Sequence, residues 1–488
     1  MENLIHVTTE IGKLKRLLIH SPDAGIGKVV PRMKEQLLYD DIVYLEQMQA
    51  EYDEFFKVLL CFLDPDKIKG KGNDPAYRKA WQNHTIYSEH VIDFELILAK
   101  ALQKEKVKNL LVPSVCAIER CSLEVQETLL STPPDELAHI LITGILSDED
   151  GKENYVFAPI PNLIFTRDIG IAIHDHLLLN KPFEKARERE SLLFRYIAHY
   201  ELLGAEDDIL AHRVIELKER DLFFAASEEK KGLKAVTIEG GDIMMISPGH
   251  LIVGLSERTS VTAIDKLTET LFDRNLVQKV SVVRIPQKRT YMHIDTVFTQ
   301  IKRDTWILFS PFSQQEIEGR IKNFDFAGNL SAKHSEPVYQ VEVTQFHRVP
   351  DPTGGYTVNV KKLPYLDNLL QQISHEDFKM EHCDIILCAG GVFPYSEREQ
   401  WTDACNFLTI REGVVIGYDR NIKTEEEFRK RGFNVIKSGD LIGEVENGQD
   451  VDEVVQGDTL ILLPSSELSR ARGGTHCMSL PLLREDIH

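Results

Sequence analysis

Near the end of the chain, the run ARGGTHCMSLPLLRED places Cys477 after a Gly-Gly turn, with Arg472 and His476 before it and the strand-like Met478, Ser479 and Leu480 after it. A loop presents a side chain there, which is where a nucleophile belongs; a buried thiol packing as a small hydrophobe is the plain alternative. Three upstream motifs fall at predicted strand ends: FTRD with Asp168, EGGD with Glu239 and Asp242, and HIDTVF with His293 and Asp295. Carboxylates that interrupt apolar strands are costly to bury unless paired or functional. Each has a structural alternative: a turn cap for Asp168, a Gly-Gly bend for EGGD, a satisfied core histidine for His293. Together, a thiol, a histidine and carboxylates at such turns point to attack on a cationic carbon centre.

A guanidinium is planar, delocalised and always charged, so its central carbon is a poor electrophile. Carboxylates on two of its edges orient it through charge-assisted hydrogen bonds, and the bound cation favours thiolate over a thiol whose pKa starts near ~8.5. A histidine then protonates departing ammonia and later deprotonates water. His293 is the candidate, with Asp295 two residues on and so on the same face of a strand; His476, adjacent to Cys477, points the other way by the same rule.

The elements that must position these residues read as α/β. Residues 12–22 read as a short strand ended by Ser-Pro, and LLYDDIVYLEQMQAEYDEFFKVLL carries Tyr44, Met48, Tyr52 and Phe55 or Phe56 at helical spacing. Residues 75–145 read as an inserted helical domain, with Pro133-Pro134 opening its last helix. Strand pairs are expected in PIPNLIFTRDIGIAIHDHLLLN, VTIEGGDIMMISPGHLIVGLSERTS, YMHIDTVFTQIKRDTWILFS and FLTIREGVVIGYDRN. DPTGGY reads as a hairpin turn within 315–380, and 440–460 as an extra loop or hairpin. A loose recurrence of two strands, a helix and another strand fits a barrel-like or propeller-like α/β architecture better than a doubly wound sheet.

Composition narrows the function classes. The 488 residues carry a net charge of -20, which argues against nucleic acid and is compatible with drawing in a small cation. No window nears ~18 uninterrupted apolar residues and the N-terminus has no signal-peptide core, so no membrane partner and a cytoplasmic location are expected. Seven cysteines do not make a disulfide framework, and neither Cys116/Cys121 nor Cys383/Cys388 has histidines at zinc-finger spacing. No phosphate-binding loop is present. A metallohydrolase built from His174, Asp175 and His176 with Glu239 lacks a recognisable third-ligand motif; no metal and no cofactor are expected.

The set PNLIFTRD, EGGD, MHIDTVFT, REQWTDACNFLTIREGVVIGYDRN and RGGTHCMSLPLLRE, with LLYDDIVYLE near the start, resembles the arginine deiminases of the guanidine-modifying superfamily. The resemblance implies a five-fold pseudosymmetric α/β propeller (a pentein) formed by 1–74 and 146–488, interrupted by the helical 75–145, and hydrolysis of free L-arginine to L-citrulline and ammonia. It implies Cys477 as the nucleophile forming an amidino-thioether, His293 as general acid and base supported by Glu239, and Asp168 and Asp295 holding the guanidinium. It assigns Asn162, Arg187, Arg258 and Arg472 to the amino-acid end of the substrate, with Arg189 an alternative to Arg187 because KARERE lacks the family's run of adjacent arginines. Segments 315–380 and 440–460 are longer than the family leads one to expect, and leave a homo-oligomer open. An amidinotransferase using the same cysteine and a catalytically silent arginine-binding protein are the rival readings.

Overall fold

A computed structural model describes residues 4–34, 36–82, 85–147, 151–204, 211–217, 236–318, 341–352 and 354–487. Among these, five sheets of three or more strands share one connectivity: an antiparallel pair, then a strand parallel to the second of the pair. In the first, Leu480–Arg484 runs antiparallel to Leu14–Ile19, which is parallel to Val91–Asp93, so the end of the chain is sewn to its beginning. The second joins Gly170–Ile173, His176–Leu179 and Val214–Glu216. The third joins Ile243–Ser247, His250–Leu255 and Lys279–Arg284. The fourth joins Phe298–Lys302, Thr305–Leu308 and Asp384–Leu387. In the fifth, Leu408–Arg411, Val414–Tyr418 and Thr459–Leu463 take Asn434–Lys437 as an added edge. The inner strands IMMIS, VVIGY and TLILL are buried along their whole length, as continuous apolar runs covered on both faces should be.

The turn ahead of the first strand of each sheet carries a polar residue inward, and these turns are hydrogen-bonded in a ring. Gly241 N donates to Asp168 Oδ1 (3.2 Å), Ile294 N to Asp242 Oδ1 (3.0 Å) and Asn406 Nδ2 to the Asp295 carbonyl (3.1 Å). Cys477 N donates to Asn406 Oδ1 (3.0 Å), and Arg167 N to the Cys477 carbonyl (3.1 Å), which closes the circle. Segments separated by hundreds of residues are thereby held in fixed register at one place.

Inside the expected helical block, Val91–Asp93 is a strand rather than the start of the helix; Asp93 then caps Phe94–Leu102 by accepting from Glu95 N. Three residues are too few to show a period of their own, and the partner Leu14–Ile19 decides their conformation. The helices Phe94–Leu102, Glu105–Glu119, Leu123–Ser131 and Pro134–Thr143 follow, with Pro134 in the first turn. They make no core of their own: Phe94, Leu111, Leu137 and Leu141 bury with Ile171, Leu178 and Ile197 of the neighbouring sheet and helix.

Segment 440–460 is helical, in correction of the loop or hairpin expected there: Ser438–Glu446 and Val451–Val454 precede the strand Thr459–Leu463. Leu441, Ile442 and Val445 bury beside Phe55, Val58 and Leu59 of the helix Leu45–Leu63, each worth roughly 1.5–3 kcal/mol. Within 315–380, residues 319–340 lie outside the described residues, while Glu342–Pro350 and Tyr356–Leu363 form a hairpin on the edge of the third sheet, turning at Asp351–Gly355. All seven cysteines are free, and no helix among the described residues is long and apolar enough to cross a membrane.

Candidate active site

Cys477 lies in the turn before Leu480–Arg484 and is 5% exposed, opening onto a small cavity. Asn162, Asp168, Arg187, Glu239, Arg258, His293 and Arg472 line the same cavity. Asp295 stands directly behind it, with Oδ2 3.4 Å from the Cys477 sulfur and Oδ1 buried without a hydrogen-bond partner among the described residues. Residues spread from 162 to 477 thus converge: Asp168, Glu239, His293 and Cys477 ride on the inward turns, while Arg187 and Arg258 come from the connections that follow His176–Leu179 and His250–Leu255.

His293 precedes the short turn Ile294–Thr296, and its ring sits between two carboxylates: Nε2 is 2.8 Å from Glu239 Oε2 and Nδ1 is 3.7 Å from Asp168 Oδ1. Gly241 of EGGD makes room for this ring, since a Cβ there would lie 2.5 Å from His293 Nδ1. Burial alone would lower the histidine, but Asp168, the Glu239 hydrogen bond and Asp242 together push it up to about 10. Glu239 is brought down to about 2: burial opposes this, while its bond to His293 and the charges of His293, Arg187 and Arg258 prevail. The pair is therefore an imidazolium held by a carboxylate. Burial raises the Cys477 thiol well above its ordinary value, reinforced by Asp295, Asp168 and Asp403 and opposed by a hydrogen bond from Asn406. With the cavity empty the sulfur keeps its proton.

Arg187 does not present a free guanidinium. Nη1 lies 2.5 Å from Asp168 Oδ2, Nε 2.8 Å from Glu190 Oε2, and Nη2 donates to the Asn162 carbonyl at 3.2 Å. Arg189 is away from the cavity, bonded to Glu119 and to the carbonyls of Ala158 and Ile142, with its guanidinium 4.4 Å from the Phe157 ring. Arg258 and Arg472 line the cavity, where Arg258 Nη1 lies 3.8 Å from Glu184 Oε1; Arg189 Nε, away from the cavity, is likewise buried without a hydrogen-bond partner among the described residues. Arg258 Nε and Arg472 Nε and Nη1 are buried with no hydrogen-bond partner among the described residues. Arg472 lies flat on Trp401, 3.4 Å from the ring centroid, with its Nη1 3.7 Å from Asp40 Oδ2. Because these donors lie on the cavity wall, they are free to donate to an anionic group of a bound molecule.

His476 faces away from the cavity, with Nδ1 2.9 Å from Asp295 Oδ2 and Nε2 3.3 Å from Glu10 Oε2. Asp242 is also outside it, holding Ile294 N and Ser256 Oγ. Asn406 was not singled out from the sequence, yet its Nδ2 is 3.2 Å from the Cys477 sulfur; its position ahead of a strand, matching Asp168, Asp242, Asp295 and Cys477, was the available signal.

Other constellations do not compete. Asp168, Glu239 and His293 bring donor atoms within 4.8 Å of one another, as a metal site would, but the Arg187 cation already lies 2.5 Å from Asp168 and 3.9 Å from Glu239, so a divalent ion would meet like charge. His174 and Asp175 sit at a hairpin tip rather than on a strand, His174 at φ 52° and bonded to the Pro248 carbonyl, remote from Glu239 in role and surroundings. Ser281, His250 and Asp377 are spaced like a hydrolase triad, at 2.7 and 2.5 Å. Ser281 has no exposed surface and accepts from Gln345, so this network pins the edge hairpin to the sheet. A roomier cleft of about 380 Å³ near Trp81, Asp93 and His139 holds no thiol.

Comparison with known proteins identifies the family. The model of the family described as arginine deiminase matches residues 73–484. The arginine deiminase of Bacillus thuringiensis subsp. konkukian is 30% identical, and that of Bacillus cytotoxicus 31% identical, each aligned over 100% of this chain and 100% of the relative. A solved amidinotransferase from Microseira wollei, 11% identical, covers 99% of this chain and 98% of its own at a TM-score of 0.49, a likeness too remote to argue from. The chain belongs to the arginine deiminase family.

Proposed function

We propose that the protein hydrolyses free L-arginine to L-citrulline and ammonia through a covalent intermediate on Cys477. The observation that carries this reading is the division of charge around one cavity: carboxylates and an imidazolium beside the thiol, and the unpartnered nitrogens of Arg258 and Arg472 on the same walls. A guanidinium fits the first set and a carboxylate the second, so the substrate is an amino acid carrying both.

Asp295 Oδ1 has a free acceptor position for the guanidinium, and Asp168 supplies a second once Arg187 loosens its hold. The substrate's charge offsets the carboxylates that keep the thiol protonated, the thiol proton leaves to solvent as the cation binds, and the thiolate attacks the guanidinium carbon, forming a C–S bond. His293 gives its proton to the departing nitrogen, the C–N bond breaks, and ammonia leaves an amidino-thioether. Water then adds to that carbon with one proton passing to His293, the C–S bond breaks to regenerate thiolate, and the second water proton leaves with the released ammonia as ammonium as the ureido carbonyl of citrulline forms. One water is consumed and no electron is exchanged. The empty cavity is about 30 Å³, room for about one water, so arginine entry requires its walls to part; Leu38 and Arg472 on that wall have φ of 65° and 64°, conformations that cost a side-chain-bearing residue about 1–2 kcal/mol.

The five sheets of shared connectivity, the ring of hydrogen bonds through their turns and the sewn chain ends support reading the catalytic part, 1–74 and 146–488, as a five-fold pseudosymmetric propeller. On this reading the helices of 75–145 are an insertion and 315–380 and 440–460 are additions to the catalytic part. Seven free cysteines fit a reducing compartment such as the cytoplasm. Purified protein given free arginine releases citrulline and ammonia in equal amounts without an added amine; production of ornithine that depends on an amine acceptor would assign it to amidino transfer instead.

A further inference from the structure

We propose that Asn406 acts directly on the nucleophile, donating a hydrogen bond that holds the Cys477 sulfur as thiolate and fixes its aim; this rests on Cys477 being the nucleophile. Asn406 is 1% exposed and sits in the turn before Leu408–Arg411, at the place that carries Asp168, Asp242, Asp295 and Cys477 in the other inward turns. Its amide makes three contacts: Oδ1 accepts from Cys477 N at 3.0 Å, and Nδ2 donates to the Asp295 carbonyl at 3.1 Å and to the Cys477 sulfur at 3.2 Å.

These contacts leave the amide one orientation. A backbone N–H only donates and a carbonyl only accepts, so a flipped amide would set donor against donor at Cys477 N and acceptor against acceptor at Asp295. An N–H therefore faces the sulfur whether or not the sulfur carries a proton. On the other side, Asp295 Oδ2 at 3.4 Å receives the S–H of the thiol but repels the thiolate. Once the proton has left, Asn406 still donates a hydrogen bond directly to the sulfur and so favours its charge.

The surrounding turn is shaped to this amide. A Cβ on Gly474 would lie 2.7 Å from both Asn406 O and Oδ1, and the Asn406 carbonyl accepts from Thr475 Oγ1 at 3.4 Å. Aspartate, present at the matching place in three of the inward turns, would put a second carboxylate against the sulfur. Asparagine keeps the acceptor for Cys477 N and supplies the donor aspartate lacks.

The test is the pH dependence of Cys477 alkylation by iodoacetamide, followed on the Cys477 peptide by mass spectrometry, in full-length wild type, Asn406→Asp, Asn406→Ala and Asn406→Ser, with thermal unfolding as the check of fold. A hydrogen bond to a charged group is strong enough to move the half-point by about one pH unit or more. The expected order of half-points is Asp highest, then Ala, then Ser with its smaller donor, then wild type. kcat for arginine falls at least about tenfold in Asp and Ala with a smaller change in KM. Half-points equal to wild type in the Asp and Ala variants overturn the proposal, as does Ser titrating above Ala. Because alkylation reads the thiol without turnover, failure of the nucleophile reading shows separately, as turnover that persists in Cys477→Ala.

Discussion

Arg187 Nη1 lies 2.5 Å from Asp168 Oδ2, both side chains being buried, so the protein's own guanidinium occupies an edge of the carboxylate that the substrate's guanidinium needs. Glu190 holds the same arginine from the other side, yet burial still lifts that carboxyl to about 7. Arg187→Ala leaves Asp168 and Glu190 without their cation and is expected to cost about 3–5 kcal/mol of stability, measured by urea unfolding. Without Arg187 the Glu190 carboxyl rises further and takes up a proton at neutral pH, so adding Glu190→Gln recovers part of the loss at alkaline pH, where the carboxyl would otherwise ionise unpaired; a double variant less stable than Arg187→Ala there contradicts this.

The His293–Glu239 pair sets a pH window. The folded value of His293 is about 10, above the roughly 6.5 of an unfolded histidine, so its stabilisation is complete below about 6.5 and is lost as pH rises through about 10. The melting temperature should therefore fall across that window. Glu239→Gln removes one of the carboxylates that raise the histidine, so its decline ends at lower pH, and its kcat drops at least about tenfold. Identical pH profiles of melting in both proteins contradict the pairing.

Much of this site was legible before the fold was known. FTRD, EGGD, HIDTVF and THC each put a polar residue where an apolar strand begins, and only a functional or paired group justifies that burial cost. The direction of Arg187 was not legible, because a long flexible side chain reaches either end of a substrate, and Asp168 and Glu190 decided the matter only in three dimensions. Asn406 was hidden for a different reason: asparagine in a turn is ordinarily a turn former. The helix Ser438–Glu446 was obscured by its glycines and acids, and packing against Leu45–Leu63 outweighs that local preference.

Substrate choice tests the cavity arginines Arg258 and Arg472. Agmatine keeps the guanidinium and chain but lacks the carboxylate, so it leaves Arg258 and Arg472 as they are now, forfeiting charge-assisted bonds worth about 1.5–3 kcal/mol each. kcat/KM for agmatine should be at least about tenfold below that for arginine, and Arg258→Ala should reduce arginine turnover more than agmatine turnover. Equal use of both substrates, with equal sensitivity to Arg258→Ala, removes the carboxylate assignment.

Trp401 supports Arg472 through its ring face at 3.4 Å. A cation–π contact of about 0.5–2 kcal/mol predicts that Trp401→Ala raises KM for arginine about threefold or more while kcat changes little. A loss confined to kcat would show that the ring does something other than hold the arginine.

The central claim is a covalent bond between Cys477 and the substrate carbon. Wild-type enzyme quenched in acid during arginine turnover, digested and analysed by mass spectrometry, should carry arginine less ammonia on the Cys477 peptide, and Cys477→Ala should show neither adduct nor turnover. An amidino group alone on Cys477 with ornithine released, or turnover that survives in Cys477→Ala, would contradict the account.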